Sequence, residues 1–201
     1  MSRTLLIATH NAHKTGEMRA ILADHFDTIT DLTSLPGMTP PEETGTTFVE
    51  NSAIKALSAS RAMPDAFVLA DDSGLEVDAL GGAPGVYSSR YSGEDATDAS
   101  NRVKLLAELA RPELAGSPRT ARFRCVVTIA RGGAILAIFE GAVEGRIAGA
   151  ETGTGGFGYD SLFIPDGHEA SFGELPESVK NGMSHRARAL AKFREWLRVD
   201  S

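Results

Sequence analysis

The run Ala66-Phe67-Val68-Leu69-Ala70 ends abruptly in Asp71-Asp72-Ser73-Gly74, and this junction constrains the chain more than any other stretch. Apolar or small residues in an unbroken row read as a buried strand, which needs cover on both of its faces. The N-terminal run Thr4-Leu5-Leu6-Ile7-Ala8-Thr9 has the same character and ends in the polar turn His10-Asn11-Ala12-His13. A segment from about Lys14 to Asp24 follows, with Met18, Ile21 and Leu22 at helical spacing. Strand, polar turn and helix in that order open an α/β domain.

The remaining segments extend this pattern. A strand is expected near Thr28 to Leu32, then a loop from Leu35 to Gly45. Thr47-Phe48-Val49-Glu50 has the form of a capping box and starts a helix reaching about Ala62. Five glycines or prolines mark Gly81 to Gly93 as loop. Thr97 to Ala110 predicts a helix with Val103, Leu106, Ala107 and Ala110 on one side. Strands over about Ala121–Ala130 and Ala134–Val143 flank the turn Arg131-Gly132-Gly133, a hairpin signature. Gly149 to Asp160 is a glycine-rich loop, Tyr159 to Ile164 reads as strand before Pro165, and a helix runs from about Ser184 to Leu197. Crossover helices together with one hairpin imply a mixed sheet.

Composition excludes several classes. In 201 residues, 42% hydrophobic and 23% charged is an ordinary globular mixture with material for a real core. A net charge of -7 argues against a broad basic surface for long nucleic acid, yet a small phosphorylated ligand needs only a few converging cations. The single cysteine, Cys125, rules out an internal disulfide and any multi-cysteine metal site, and its strand context reads as a small buried hydrophobe. No apolar run approaches the roughly 18 residues of a membrane span and the N-terminus lacks signal-peptide character, so a cytoplasmic protein is expected.

Five segments carry candidate chemistry. At Thr9-His10-Asn11-Ala12-His13-Lys14 a helix N-terminus exposes unpaired N–H groups to an oxyanion, with Asn11 and Lys14 adding a donor and a charge; an N-capped polar turn is the alternative. Glu50 falls within the arc of Val49, Ala53, Ile54, Ala56 and Leu57, whereas Asn51 and Lys55 fall outside it. A carboxylate on a buried face needs a partner such as a metal ion, although a capping-box Glu reaches back to its own helix start. Asp71 and Asp72 point to opposite faces if the strand continues, or both approach a ligand if the backbone turns at Ser73-Gly74. Such carboxylates suit magnesium and the activation of water. Gly153-Thr154-Gly155-Gly156-Phe157-Gly158 spells a dinucleotide fingerprint but precedes a strand, so a Rossmann site is rejected; Phe157 could still stack on a base. Lys180 and Ser184-His185-Arg186 suit a phosphate or a purine carbonyl oxygen, or form a solvated basic face.

Taken together, Thr9 to Glu17, Thr47 to Ala56, Ala70 to Gly93, Gly155 to Asp160 and Ser184 to Ala187 resemble the inosine triphosphate pyrophosphatase family in five blocks and in its order. The resemblance implies an elongated α/β fold, two lobes around a cleft with a central twisted mixed sheet flanked by helices. It also implies one domain over residues 1–201, usually assembled as a homodimer. The implied activity is hydrolysis of non-standard purine nucleoside triphosphates (ITP, dITP, XTP) to the monophosphate and pyrophosphate with Mg2+. In that pattern Thr9, His10, Asn11, Ala12, His13 and Lys14 bind the triphosphate and Lys55 helps neutralise it. Asp72 is general base and metal ligand, with Glu50 and Asp71 nearby and Ser73 flanking. Phe157, Gly158, Tyr159, Asp160, Lys180, His185 and Arg186 hold base and sugar. Ser161 stands where the family commonly has Pro, and Ser52 where Ala is common. The competing expectations are a pyrophosphatase for modified pyrimidine nucleotides and a nucleotide sensor without turnover; a nucleic-acid-binding module fits the charge least.

Overall fold

The structure is a computed structural model that describes residues 3–35 and 37–199; Pro36, inside the expected loop from Leu35 to Gly45, lies outside the described residues. In chain order the elements are β1 (Thr4–Ile7), α1 (Ala12–Leu22), β2 (Thr28–Asp31), α2 (Phe48–Ala62), β3 (Phe67–Val77), α3 (Asp98–Leu109), β4 (Thr120–Arg131), β5 (Ala134–Ile147), β6 (Phe163–Pro165), α4 (Glu177–Met183) and α5 (His185–Val199). The strands form one six-stranded sheet in the order β2-β1-β3-β4-β5-β6. β1 pairs in parallel with β2 and β3, and β5 pairs antiparallel with β6, so the α/β fold with a mixed sheet is borne out. No helix of the described residues is long and apolar enough to cross a membrane.

The chain divides into two compact units. One holds the residues up to Asp72, Cys125–Gly141 and the residues from Arg186 on; the other holds Ser73–Arg124 and Ala142–His185. In the first, strand parity organises the core. Leu5, Ile7 and Leu69 pack with Met18 and Leu22 of α1 and with Leu190 and Phe193 of α5. The intervening Leu6, Val68 and Ala70 pack with Ala56 and Ala59 of α2. This is the two-sided burial expected of unbroken apolar strands. In the second unit, Leu75 and Val77 of β3 join Leu105 and Leu109 of α3 and an aromatic group of Phe123, Phe163 and Phe172.

Several expectations are corrected. Asn11 caps α1, its side chain accepting from the amides of His13 and Lys14, so the helix starts at Ala12 rather than Lys14. On α2, Val49 is exposed while Asn51, Ser52 and Ser60 are buried. The helix packs through small and polar residues that find buried hydrogen-bond partners, the Ser52 hydroxyl with that of Thr128 at 2.7 Å and Asn51 Oδ1 accepting from the Gly45 amide at 2.8 Å. On α3, Leu105 and Leu109 are buried and Val103 faces solvent, which shifts the apolar stripe from the one expected. β3 does not turn at Ser73 but runs to Val77, and β5 runs to Ile147. β6 is confined to Phe163–Pro165, since Tyr159 to Leu162 close a turn. Helix α4, ending in Gly182-Met183 before Ser184, has no expected counterpart. The β4–β5 hairpin is as expected, with both Gly132 and Gly133 at positive φ.

Candidate active site

Continuation of β3 through the acidic pair determines where each carboxylate goes. Asp71 shares a face with Leu69 and therefore meets α1 and α5; Asp72 shares a face with Val68 and Ala70 and meets α2. The Nζ of Lys14 lies 3.1 Å from both oxygens of Asp71, and the Arg186 guanidinium donates to Asp71 Oδ2 at 3.0 Å. The second nitrogen of the same guanidinium donates to Glu17, a residue for which the sequence implied no role. Arg186 and Asp71 are almost wholly buried. Burial alone pushes the Asp71 carboxyl up, but Lys14 and Arg186, with Lys55 behind them, hold it well below the carboxylate range. Cys125 Sγ, 3.9 Å from Asp71, is buried as expected, and burial raises its thiol to about 12.

Asp72 behaves in the opposite way. Its Oδ1 accepts from Lys55 Nζ at 2.9 Å, while its Oδ2 is buried with no hydrogen-bond donor. Burial raises its pKa, and neither the Lys55 charge nor the Lys55 hydrogen bond reverses that direction. Lys55 also reaches Glu43 Oε1 at 3.4 Å; burial lowers its pKa, and Asp72, Asp71 and Glu43 together raise it beyond that loss.

Glu50 is not on the buried face. Exposed, it closes the capping box of α2, its Oε2 accepting from the amides of Thr46 and Thr47 at 2.7 and 3.1 Å. Glu50 thus stands as a helix cap rather than on the buried arc expected for it, because the buried stripe of α2 runs through Asn51 and Ser52. His10, Asn11, Ala12 and His13 are exposed at the head of α1, Thr9 is half-buried there, and Ser73 is half-buried on β3.

In the second unit the glycine-rich loop is folded back on itself. Asp160 Oδ2 accepts from the Phe157 amide at 2.8 Å and from Lys180 Nζ at 2.7 Å, and Lys180 also lies 4.7 Å from the Phe157 ring centroid. Gly156 has φ +72°, and a Cβ there would come 2.1 Å from Asp160 Oδ2, so only glycine leaves room for this closure. Tyr159 is anchored through its hydroxyl to the Ser88 carbonyl at 2.8 Å. His185 is buried with its ring stacked 4.9 Å from Phe123. Lys180, His185 and Arg186 are thus all buried, which removes the solvated-face alternative; Arg186 belongs to the Asp71 cluster of the first unit.

Among the described residues no group of three or more His, Cys, Asp or Glu converges as a metal cage. The donors fit a hard cation that takes one or two carboxylates and completes its shell with water and phosphate oxygens. Asp72 Oδ2, buried and lacking a donor, is the acceptor that fits best. Asp71 fits least, since its oxygens already meet Lys14 and Arg186.

Lysines and carboxylates gathered at a helix head and a strand of an α/β fold form a charge set suited to a phosphorylated ligand. The chain belongs to the Ham1 family, whose model matches residues 5–196. It is 43% identical over 195 residues to a dITP/XTP pyrophosphatase of Halalkalibacterium halodurans, covering 96% of this chain and 97% of that one. It is 45% identical over 193 residues to the protein of the same name from Geobacillus kaustophilus, covering 96% and 93%. The structure of a HAM1 protein from Coxiella burnetii superposes with a TM-score of 0.87 at 39% identity, covering 98% of both chains. The chain is accordingly an enzyme of the pyrophosphatase class.

Proposed function

We propose that this enzyme hydrolyses non-standard purine nucleoside triphosphates (dITP, ITP and XTP) to the monophosphate and pyrophosphate. The observation that carries the reading is Asp72, a buried carboxylate with one oxygen on Lys55 and the other without a donor. Its raised pKa makes it a stronger base than an exposed aspartate. A water attacks the α-phosphorus and gives its proton to Asp72; the new P–O bond replaces the bond to the β-phosphate, and pyrophosphate leaves. Lys14 and Lys55, with Thr9 and Asn11 at the open head of α1, offset the charge of the triphosphate. Asp71 and Arg186 hold Lys14 in place rather than touching phosphate.

Magnesium bound at Asp72, with Glu50 as the second carboxylate, would neutralise phosphate oxygens. On the base side we assign Phe157, Gly158, Asp160, Lys180 and His185, with Tyr159 as anchor. A donor facing O6 favours hypoxanthine and xanthine over adenine, whose amino group leaves it unpaired at about 1–3 kcal/mol. The reading treats residues 1–201 as one cytoplasmic, homodimeric pyrophosphatase domain, supported by a family match that runs through both units.

Product chromatography after incubation with magnesium and ITP, XTP, ATP or GTP tests it. IMP or XMP with pyrophosphate, little reaction of ATP or GTP, and loss of turnover in Asp72→Asn are the expected results. IDP with phosphate would overturn the cleavage site, and a preference for modified pyrimidine nucleotides would overturn the substrate class. Affinity without hydrolysis would mark a sensor.

A further inference from the structure

The base-side loop is gripped from outside by α3, a helix to which neither the sequence motifs nor the reaction assigns a part. Gly158 sits in the left-handed region, φ +61°, and both of its backbone polar groups are taken by charged side chains of that helix. Its N–H donates to Asp98 Oδ2 at 2.7 Å, and its carbonyl accepts from Arg102 Nη1 at 2.8 Å. Asp98 and Arg102 are four residues apart and so share one face of the helix. Arg102 Nε donates at 2.7 Å to Glu151 Oε2, which also accepts from the Ser161 hydroxyl at 3.1 Å. The grip therefore reaches Glu151 and Ser161 on either side of the Phe157–Asp160 segment. Ser161, the position where proline is common in the family, here supplies a hydrogen bond in its place.

Helix α3 is a fixed support. Leu105 and Leu109 are buried, and Asn101 accepts from the Ser92 amide at 2.8 Å and donates to the Ser89 carbonyl at 3.0 Å. The loop residues 151–156, by contrast, are exposed. Bonds in which one partner is ionised are the stronger kind, and one on each of the two peptide groups that meet at Gly158 fixes both the position and the tilt of that residue. Phe157 precedes that residue and Asp160 stands two positions after it, where its Oδ2 accepts from the Phe157 amide and from Lys180.

The geometry points to Asp98 and Arg102 as positioning residues that set the base-holding segment, and through it KM and base selectivity, without taking part in bond breaking. This inference rests on the base-side assignment of Phe157 to Asp160.

The test is steady-state kinetics with dITP and dGTP for the wild-type enzyme and for Asp98→Ala, Asp98→Asn, Arg102→Met and Arg102→Lys, with melting temperatures and calorimetric binding of IMP alongside. Asp98→Ala and Arg102→Met are expected to raise KM for dITP by about tenfold, the scale of one lost charge-assisted hydrogen bond, with kcat within about twofold. The dITP-to-dGTP selectivity falls with it. Asp98→Asn keeps an acceptor for the Gly158 amide and restores KM, and Arg102→Lys restores it in part. KM and IMP affinity unchanged in both truncations would overturn the inference, as would kcat falling together with the melting temperature. A wild-type enzyme that binds IMP but does not turn over dITP would overturn the proposed reaction instead, and IMP affinity across the variants would still decide the clamp.

Discussion

Asp71 and Asp72, adjacent on β3, send their carboxylates to opposite faces of the sheet, Asp71 to Lys14 and Arg186 and Asp72 to Lys55. The two carboxyls are consequently shifted in opposite directions, Asp71 down and Asp72 up. One strand thus carries a permanent anion that holds cations and, next to it, a base that is costly to keep charged.

Asp71→Ala leaves Arg186 and Lys14 buried or half-buried with their shared anion removed. Breaking a buried pair in this way costs about 3–5 kcal/mol, or roughly 10 °C of melting temperature for a chain of this size. Thermal unfolding by circular dichroism checks it, and a change of only a degree or two would show that Glu17 alone suffices for Arg186.

Asp72→Asn is expected to abolish turnover while raising stability at neutral pH. The sign follows from the raised pKa: the folded state favours the neutral carboxyl, so the wild type loses stability as pH rises from the unfolded value of about 4 through the higher folded value. The amide avoids that loss, and Glu43 remains as a counter-ion for Lys55. Denaturant melts of metal-free protein at pH 4 and pH 7 should therefore show the variant gaining on the wild type at the higher pH only.

Cys125 is buried and its thiol is raised to about 12, so almost no thiolate exists at pH 8. A colorimetric thiol reagent should react with the native protein far more slowly than with the same protein in guanidinium chloride. Equal rates would mean that β4 opens readily at this point.

Gly156→Ala should displace Asp160 from the Phe157 amide, because the new Cβ would stand 2.1 Å from Asp160 Oδ2 and the residue would keep a φ of +72°. Losing that bond to a charged acceptor is expected to raise KM for dITP by about tenfold or more. Unchanged kinetics would argue that the loop re-closes by another route.

The local rules of chain geometry already specified much of this protein. Strand parity told that Asp71 and Asp72 part company if β3 continues, the Thr47–Glu50 spacing announced a capped helix, and Gly132-Gly133 announced a hairpin. The motif blocks carried the family. What periodicity could not supply was the set of partners. Lys14 and Arg186 meet Asp71 across 57 and 115 residues, and Arg186 meets Glu17 across 169, and no local pattern encodes such pairs. The α2 stripe was misread for a related reason: Asn51, Ser52 and Ser60 count as polar on a helical wheel, yet they are buried because Gly45, Thr128 and Gly133 supply their hydrogen bonds. Sequence alone thus determined most of the elements, the capped start of α2 and the hairpin turn, while α4 and the exposed face on which Glu50 stands emerged only in the structure. The tertiary structure decided which carboxylate became a fixed counter-ion and which was left with an unshared oxygen, because burial and opposing charge act through space rather than along the chain.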